Sequence, residues 1–256
     1  MKQIPRHVKT LLKSKSNCYC IIVPVINEGR QIRLQLKEMS NFSDKIDIII
    51  ADGGSTDDSL DVNYLKSCNV RVLLTKNDKG KLSAQLRMAY SFALEEGYEG
   101  IITIDGNGKD SIDSIPIFIE KLADGYDMIQ GSRFVLGGDA VNTPKTRLLA
   151  IKLLHIPFIS MIAGFKYTDT TNGYRGYSKK YLEYPGLEPF RDIFDTYELL
   201  AYLSVKAPML GLKVCEVPVT RSYPVSGKVP TKISPIKGNL LLIKILWNLA
   251  FGKYNP

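Results

Sequence analysis

Ile101-Ile102-Thr103-Ile104-Asp105-Gly106-Asn107-Gly108-Lys109-Asp110 decides how the rest of this chain is read. Its β-branched run predicts a buried strand, and Gly106 and Gly108 end that strand abruptly. The residues at the strand's end are polar: a carboxylate, an amide, a lysine and a second carboxylate. Ligands of an open α/β sheet bind outside the carboxyl ends of its strands, which puts chemistry at this point. A carboxylate and an amide oxygen separated by one glycine suit a hard divalent cation that keeps some waters and bridges phosphates. Asp-Gly and Asn-Gly are also ordinary turn dipeptides, so the neighbouring segments must decide.

Three earlier strands are predicted at 20–25, 47–51 and 70–74. The first runs into Pro24-Val25-Ile26-Asn27-Glu28-Gly29 and a helix over 31–39. The second ends in Asp52-Gly53-Gly54-Ser55-Thr56-Asp57-Asp58, with an acidic residue at the strand tip, two glycines that let backbone approach a ligand, and helix-capping side chains. Gly80-Lys81 opens a helix to about residue 96 and places a lysine and unpaired N–H groups where an anion would bind. Strands alternating with helices predict a parallel sheet with right-handed crossovers.

The second half is less regular. A helix is predicted over 112–123 and a short strand over 128–130, running into Gly131-Ser132-Arg133-Phe134. Residues 144–163 form a long apolar helical stretch that carries Arg147, Lys152 and His155 and breaks at Pro157. A polar loop, with or without a short strand, covers Thr168-Asp169-Thr170-Thr171-Asn172-Gly173-Tyr174-Arg175. A helix over 195–206 carries Asp195 and Glu198, a strand comes next at 214–219, and an apolar helix over 239–251 holds the only tryptophan, Trp247. Residues 1–16 are basic and read either as a short amphipathic helix or as a frayed terminus.

Composition excludes several classes. The 256 residues can bury a sizeable core, and no apolar stretch reaches the roughly 18 residues that span a bilayer. Cys18, Cys20, Cys68 and Cys215 lack metal-ligand spacing. Cys18 and Cys20 share strand periodicity and read as core thiols in a reducing compartment. Two histidines leave little room for histidine chemistry. A net charge of +8 favours anionic partners, but no nucleic-acid motif accompanies it, and phosphorylated substrates account for it.

Taken in order, Val23-Pro24-Val25-Ile26-Asn27-Glu28, Asp52-Gly53-Gly54-Ser55-Thr56-Asp57, Gly80-Lys81, Asp105-Gly106-Asn107, Gly131-Ser132-Arg133-Phe134, Asn172-Gly173-Tyr174-Arg175, Glu216-Val217-Pro218 and Arg221 span about residues 20–235. The chain resembles a family 2 glycosyltransferase, closest to the dolichol- or polyprenol-phosphate glycosyltransferase branch. The resemblance implies an α/β GT-A fold: a Rossmann-like, mostly parallel central sheet flanked by helices, with a C-terminal helix. It divides the chain into a basic segment 1–16, a catalytic domain 17–236 and a C-terminal amphipathic helix 237–256.

By that resemblance Pro24, Asn27 and Glu28 line the nucleotide pocket, Asp52 meets the base or ribose with Asp57 nearby, and Lys81 belongs to the same nucleotide-sugar site. Asp105 and Asn107 stand at the family's metal-binding position and hold Mg2+ or Mn2+ against the diphosphate. Arg133, Arg147 and Arg175 match basic positions facing the diphosphate or the acceptor phosphate, while Arg221 and Lys228 match a basic loop over the site. Metal and guanidinium groups together stabilise a departing nucleoside diphosphate. This sequence departs from the pattern at Asn107, where the family has a second aspartate, and at Ile26, where it usually has an aromatic residue. It also lacks the transmembrane helices that many relatives carry after the catalytic domain.

The expected activity is inverting, metal-dependent transfer of a sugar from a nucleotide-sugar donor to a polyprenyl phosphate, in surface glycan synthesis of bacterial or archaeal type. The expected place is the cytoplasm, at the inner face of the cell membrane, and a homodimer stays open. Two rivals stand beside it. One is a soluble transferase acting on a glycan hydroxyl, with Asp195 or Glu198 as base. The other is a nucleotide-sugar-binding protein with weak catalysis, suggested by Asn107. Lys109, Asp110, Arg147 and Lys152 read equally well as solvated charges, and the C-terminal helix packs either on the domain or on a membrane.

Overall fold

Runs of Ile, Val and Leu assemble one eight-stranded sheet in the described residues, 2–224 and 237–256 of a computed structural model. Its strands are β1 (His7–Leu11), β2 (Tyr19–Val25), β3 (Asp47–Asp52), β4 (Val70–Lys76), β5 (Gly100–Thr103), β6 (Met128–Ser132), β7 (Arg175–Ser178) and β8 (Val214–Pro218). They lie in the order β1-β4-β3-β2-β5-β7-β6-β8. Strands β4, β3, β2 and β5 run parallel, β7 is antiparallel to both β5 and β6, and β8 is parallel to β6.

The helices are α1 (Gly29–Met39), α2 (Val62–Ser67), α3 (Leu82–Glu95), α4 (Ile115–Ala123), α5 (Lys145–Ala150), α6 (Ile156–Ala163), α7 (Lys179–Leu182), α8 (Glu198–Met209) and α9 (Lys237–Ala250). Side chains alternate across each strand, so β2 sends Cys20 and Ile22 to one core and Ile21, Val23 and Val25 to the other. The first core is roofed by α3, α6, α8 and α9, the second by α1 and α4. The α/β expectation therefore holds, with a mostly parallel centre and an antiparallel insertion at β7.

Several local expectations are corrected. Residues 7–11 are neither frayed nor helical but an edge strand, because their N–H and C=O groups pair antiparallel with β4. The cap after β3 is Asp61, whose carboxylate accepts from Tyr64 N at 2.8 Å, and not the Ser55–Asp58 group. Pro157 does not break its helix: it sits in the first turn of α6, and a π-helical turn (Ile151–His155) upstream joins α5 to α6. The resulting Lys145–Ala163 helix has 19 residues and a mean hydropathy of 1.5, so by length and composition it could cross a membrane, contrary to the sequence reading. Cys18 precedes β2 and is exposed, unlike buried Cys20. Helix α9 buries Ile245, Leu246 and Leu249 in the core but leaves Leu240 and Trp247 exposed, so one face packs on the domain and the other does not.

The chain leaves β2 toward β3 on one side, and β5 pairs on its other side. Between those strands lies a topological switch point, and the residues after β2, β3 and β5 meet there.

Candidate active site

The loops after β2 and β3 are stitched together by their own polar side chains. Asn27, at a left-handed φ of 49° that asparagine tolerates, donates its N–H to Ser55 Oγ and accepts Thr56 N–H on Oδ1 at 2.7 Å. Asp57 Oδ2 accepts Gly29 N–H at 2.8 Å, and hydrogen bonds led by that of Ser59 hold its carboxyl below the usual range despite some burial. Asp52 is buried and uses Oδ1 for Ser55, while Oδ2 takes no hydrogen bond from a described residue. Pro24 is buried and its carbonyl accepts Gly106 N–H, which ties this loop to the turn after β5. Ile26 is partly exposed beside Gly53.

Two glutamines that the sequence reading passed over hold these tips in place. Gln85 Nε2 donates to the carbonyls of Val25 and Ala51, both at 2.9 Å, bridging the ends of β2 and β3. Gln35 Nε2 donates to Asp105 O and its Oε1 accepts Gly108 N–H, clamping the turn after β5 from both sides. Their signal was available: each is an amide on an otherwise apolar helix face, Gln35 among Ile32, Leu36 and Met39.

Asp105 stands at the centre. Arg221 Nη2 reaches Asp105 Oδ2 at 2.9 Å, and Arg221 Nη1 pairs with fully buried Asp110. Burial works against the Arg221 charge, but Asp110 and Asp105 outweigh it and push its pKa up, so the guanidinium stays charged. Asn107 Nδ2 leans on Asp105 Oδ2 at 3.4 Å, and Asn107 Oδ1 is buried without a hydrogen-bond partner in the described residues. That orphaned amide oxygen beside a carboxylate is an all-oxygen donor pair, which fits a hard cation such as Mg2+ or Mn2+. Among the described residues no cluster of three or more His, Cys, Asp or Glu side chains joins them. An ion here would take its remaining ligands from substrate oxygens and water.

Cations converge from three segments. Lys109 Nζ, Arg147 and Arg221 lie 5.5, 5.7 and 6.0 Å from the ring centre of Tyr223. Burial first, then the neighbouring Arg221, pulls the Lys109 pKa down, with Asp105 and Glu28 opposing. Burial and Arg147 lower His155 in the same way. Lys109, Asp110 and Arg147 thus gather with Arg221 and Tyr223, whereas Lys152 is exposed and lies over the Phe134 ring at 5.0 Å.

Other expected site residues have partners within the protein. Arg133 is buried in a two-pronged pair with Asp169 (2.6 and 3.0 Å) and also donates to Thr171. Arg175 is 2% exposed and donates to the carbonyls of Asn172 and Thr170 and to Ser204 Oγ. Both guanidiniums are thus engaged by the protein's own acceptors, and the Arg133 charge also acts on buried Asp110, the partner of Arg221. Glu216 Oε2 accepts Thr168 N–H and Oγ–H, and its Oε1 accepts Asp169 N–H. Burial still raises its pKa. This chain of buried polar groups fixes the loop that brings Gly173 against Asp105.

Glu198 is likewise occupied: its Oε2 accepts the N–H groups of Asp195 (3.1 Å) and Thr196 (2.6 Å), closing the start of α8. The carbonyls of Asp195 and Thr196 in turn receive Lys81 N–H and Ser83 N–H, so the expected anion site at the start of α3 is already filled by backbone. Lys81 itself is exposed. Asp195 is exposed and faces Gly80, where a Cβ would lie 2.4 Å from its Oδ1. Lys228 lies outside the described residues.

Residues 20–184, from β2 through the Asp105 turn to α7, match the model of glycosyl transferase family 2. The chain belongs to this family. It is 27% identical over 202 residues to undecaprenyl-phosphate mannosyltransferase of Micrococcus luteus, covering 78% of this chain and 81% of that one. It is 25% identical over 203 residues to polyprenol monophosphomannose synthase of Mycolicibacterium smegmatis, covering 78% and 76%. Both bear out the resemblance to the polyprenol-phosphate branch. Glucosyl-3-phosphoglycerate synthase of Mycobacterium tuberculosis, solved with Mn2+ and UDP, shares the fold at a TM-score of 0.63 and 14% identity, over 92% of this chain and 78% of that one. The glycosyltransferase thus has the GT-A architecture expected from its sequence.

Proposed function

We propose that this glycosyltransferase moves a hexose from a nucleoside-diphosphate sugar to the phosphate of a polyprenyl lipid, inverting the anomeric carbon. The observation that carries the reading is the meeting of Asp105, Asn107, Lys109, Arg147 and Arg221 at the carboxyl ends of the central strands. The names of the two mannosyl-transferring relatives support a lipid phosphate as acceptor and make a nucleoside-diphosphate mannose the first donor to try. The loops after β2 and β3, with Asn27, Glu28, Asp52 and Asp57, would receive the nucleoside. The acceptor phosphate oxygen attacks the anomeric carbon in line, the bond to the donor diphosphate breaks, and its electron pair leaves with the nucleoside diphosphate. A phosphate acceptor is already an anion and needs no general base. A Mg2+ or Mn2+ held by Asp105 and Asn107 would supply charge to the leaving diphosphate. Arg147 and Arg221 would add fixed positive charge in a half-buried setting where it acts strongly. The Glu198 carboxylate is occupied by the Asp195 and Thr196 N–H groups, which leaves exposed Asp195 as the base candidate for the rival transfer to a glycan hydroxyl.

The same reading places the enzyme on the cytoplasmic face of a membrane, where its product would feed surface glycan synthesis. Helix Lys145–Ala163 exposes Leu149, Leu153 and Met161. Helix α9 exposes Leu240 and Trp247 beside it, and Phe251 just after the helix is exposed as well, with Trp247 6.2 Å from Phe158 of α6. Ile151, Ile159 and Ala163 pack on the domain, so this helix lies along the protein surface and does not run away from it. Lys145, Lys152 and Lys166 lie within or just after the first helix and Lys244 within α9, all exposed, a composition that suits anionic lipid headgroups. Arg147 sits in the same helix, so a lipid phosphate at the interface would meet the site directly.

The test is a donor panel (GDP-mannose and UDP-, dTDP- and CDP-hexoses with Mg2+ or Mn2+) with either polyprenyl phosphate or a soluble glycan as acceptor. Turnover that requires the lipid phosphate supports the reading. Turnover on the glycan alone replaces it with a hydroxyl transferase, and nucleotide binding without turnover marks a binding protein.

A further inference from the structure

The metal position in this chain offers one carboxylate, Asp105, and that carboxylate is shared with Arg221 at 2.9 Å. Its second donor is the neutral amide of Asn107. A pair of this kind attracts a divalent ion less than two carboxylates would. Lys109 stands two residues on, and its backbone is locked in place. Gly108, at a φ of 67°, gives its N–H to Gln35, and the Lys109 carbonyl accepts Ser222 N–H at 2.8 Å. The side chain is half-buried, and its ammonium stands over the Tyr223 ring that Arg147 and Arg221 also face. A solvated turn lysine has no reason to be held like this. The site therefore brings its own fixed positive charge to the place where the family reading puts the diphosphate.

We propose that Lys109 is a built-in counter-charge for the donor's diphosphate, so that this site binds a diphosphate without a divalent ion and, in exchange, holds the ion weakly. The inference rests on the nucleotide-sugar reading above and adds a division of labour within it. One positive charge comes from the chain, and the divalent ion contributes in addition.

The experiment is calorimetry of pyrophosphate, GDP and UDP with the full chain, in EDTA and in Mn2+, for the wild type, Lys109→Gln and Lys109→Arg. Mn2+ binding to the ligand-free proteins is followed alongside by paramagnetic resonance. The wild type is expected to bind pyrophosphate or one of the nucleotides in EDTA. Lys109→Gln should lose about tenfold of that metal-free affinity and less than that in Mn2+, the size expected for one half-buried charge. Lys109→Arg should retain it. Removing the ammonium should also tighten Mn2+ binding severalfold, a change that a merely structural lysine would not produce. Equal affinities of wild type and Lys109→Gln in EDTA would overturn the proposal. So would wild-type binding that appears only with Mn2+, although that result would leave the glycosyltransferase site standing. No binding by the wild type under either condition would overturn both.

Discussion

Gly173→Ala is the sharpest local test of the site. Gly173 is not among the residues at positive φ, so alanine carries no backbone penalty there. The added Cβ would lie 2.7 Å from Asp105 Oδ1 and 3.3 Å from its Cγ. That is roughly 0.8 Å inside ordinary contact. The carboxylate has little room to move: Oδ2 is held by Arg221, which is anchored on buried Asp110, and the Asp105 carbonyl is held by Gln35 at 3.0 Å. The loop of Gly173 is equally fixed, through Glu216, Asp169 and Arg133. Overpacking of this kind costs about 1–3 kcal/mol of stability. With Asp105 in the proposed role, a displacement approaching 1 Å costs on the order of 10–100-fold in rate. Transfer kinetics and thermal unfolding of Gly173→Ala, Asp105→Ala and the double variant read both effects. Since Asp105→Ala removes the clashing oxygen, the stability cost of Gly173→Ala should shrink to within about 0.5 kcal/mol of zero in the double variant. Full activity of Gly173→Ala, or strictly additive stabilities, would refute the packing of Gly173 on Asp105.

Three further outcomes are expected. Arg133→Met should cost about 3–5 kcal/mol by leaving Asp169 charged and buried, and Arg133→Met with Asp169→Leu should recover most of it in denaturant titrations. At the far end of β3, burial raises Asp47, but hydrogen bonds from Tyr98, Ser16 and Asn17 outweigh it and depress its pKa. Its stabilisation is therefore present above the unfolded value of about 3.9 and is lost as pH falls through the folded value. Tyr98→Phe, which deletes a 2.7 Å bond to Asp47, should cost about 1 kcal/mol at neutral pH and flatten the acid limb of stability against pH; an unchanged limb would contradict the assignment. Leu153→Glu with Trp247→Glu should abolish co-sedimentation with anionic vesicles while shifting Tm little, because both side chains are more than half exposed. Undiminished sedimentation would remove the membrane face from the account.

The sequence carried the strands and the motif loops well, because a buried parallel strand such as Ile48-Ile49-Ile50 has no other comfortable place and the polar tips come directly after it. It carried the charged residues less well. Arg133 and Arg175 lie in Gly-containing loops in the expected order, but whether a guanidinium meets a ligand or a buried aspartate depends on a residue distant in sequence, Asp169 for Arg133 and Ser204 for Arg175. The same distance hid the closure of α3 by the Asp195 and Thr196 carbonyls, and the pairing of residues 7–11 with β4. Gln35 and Gln85 were visible as amides on apolar faces, but their partners are backbone carbonyls, which no composition reveals. For Lys109 the contact that sets it apart from a solvated turn lysine is Tyr223, more than a hundred residues later in the chain.

The most direct test of the central claim is the mass and anomeric configuration of the lipid product. Wild type and Asp105→Ala are incubated with polyprenyl phosphate and the donor found active, and the lipid fraction is analysed by mass spectrometry and NMR. The account predicts a lipid heavier by one hexose residue, linked through a single phosphate and inverted at the anomeric carbon, formed by the wild type and absent with Asp105→Ala. A product carrying a diphosphate bridge, a retained anomer, or equal yield from Asp105→Ala would contradict it.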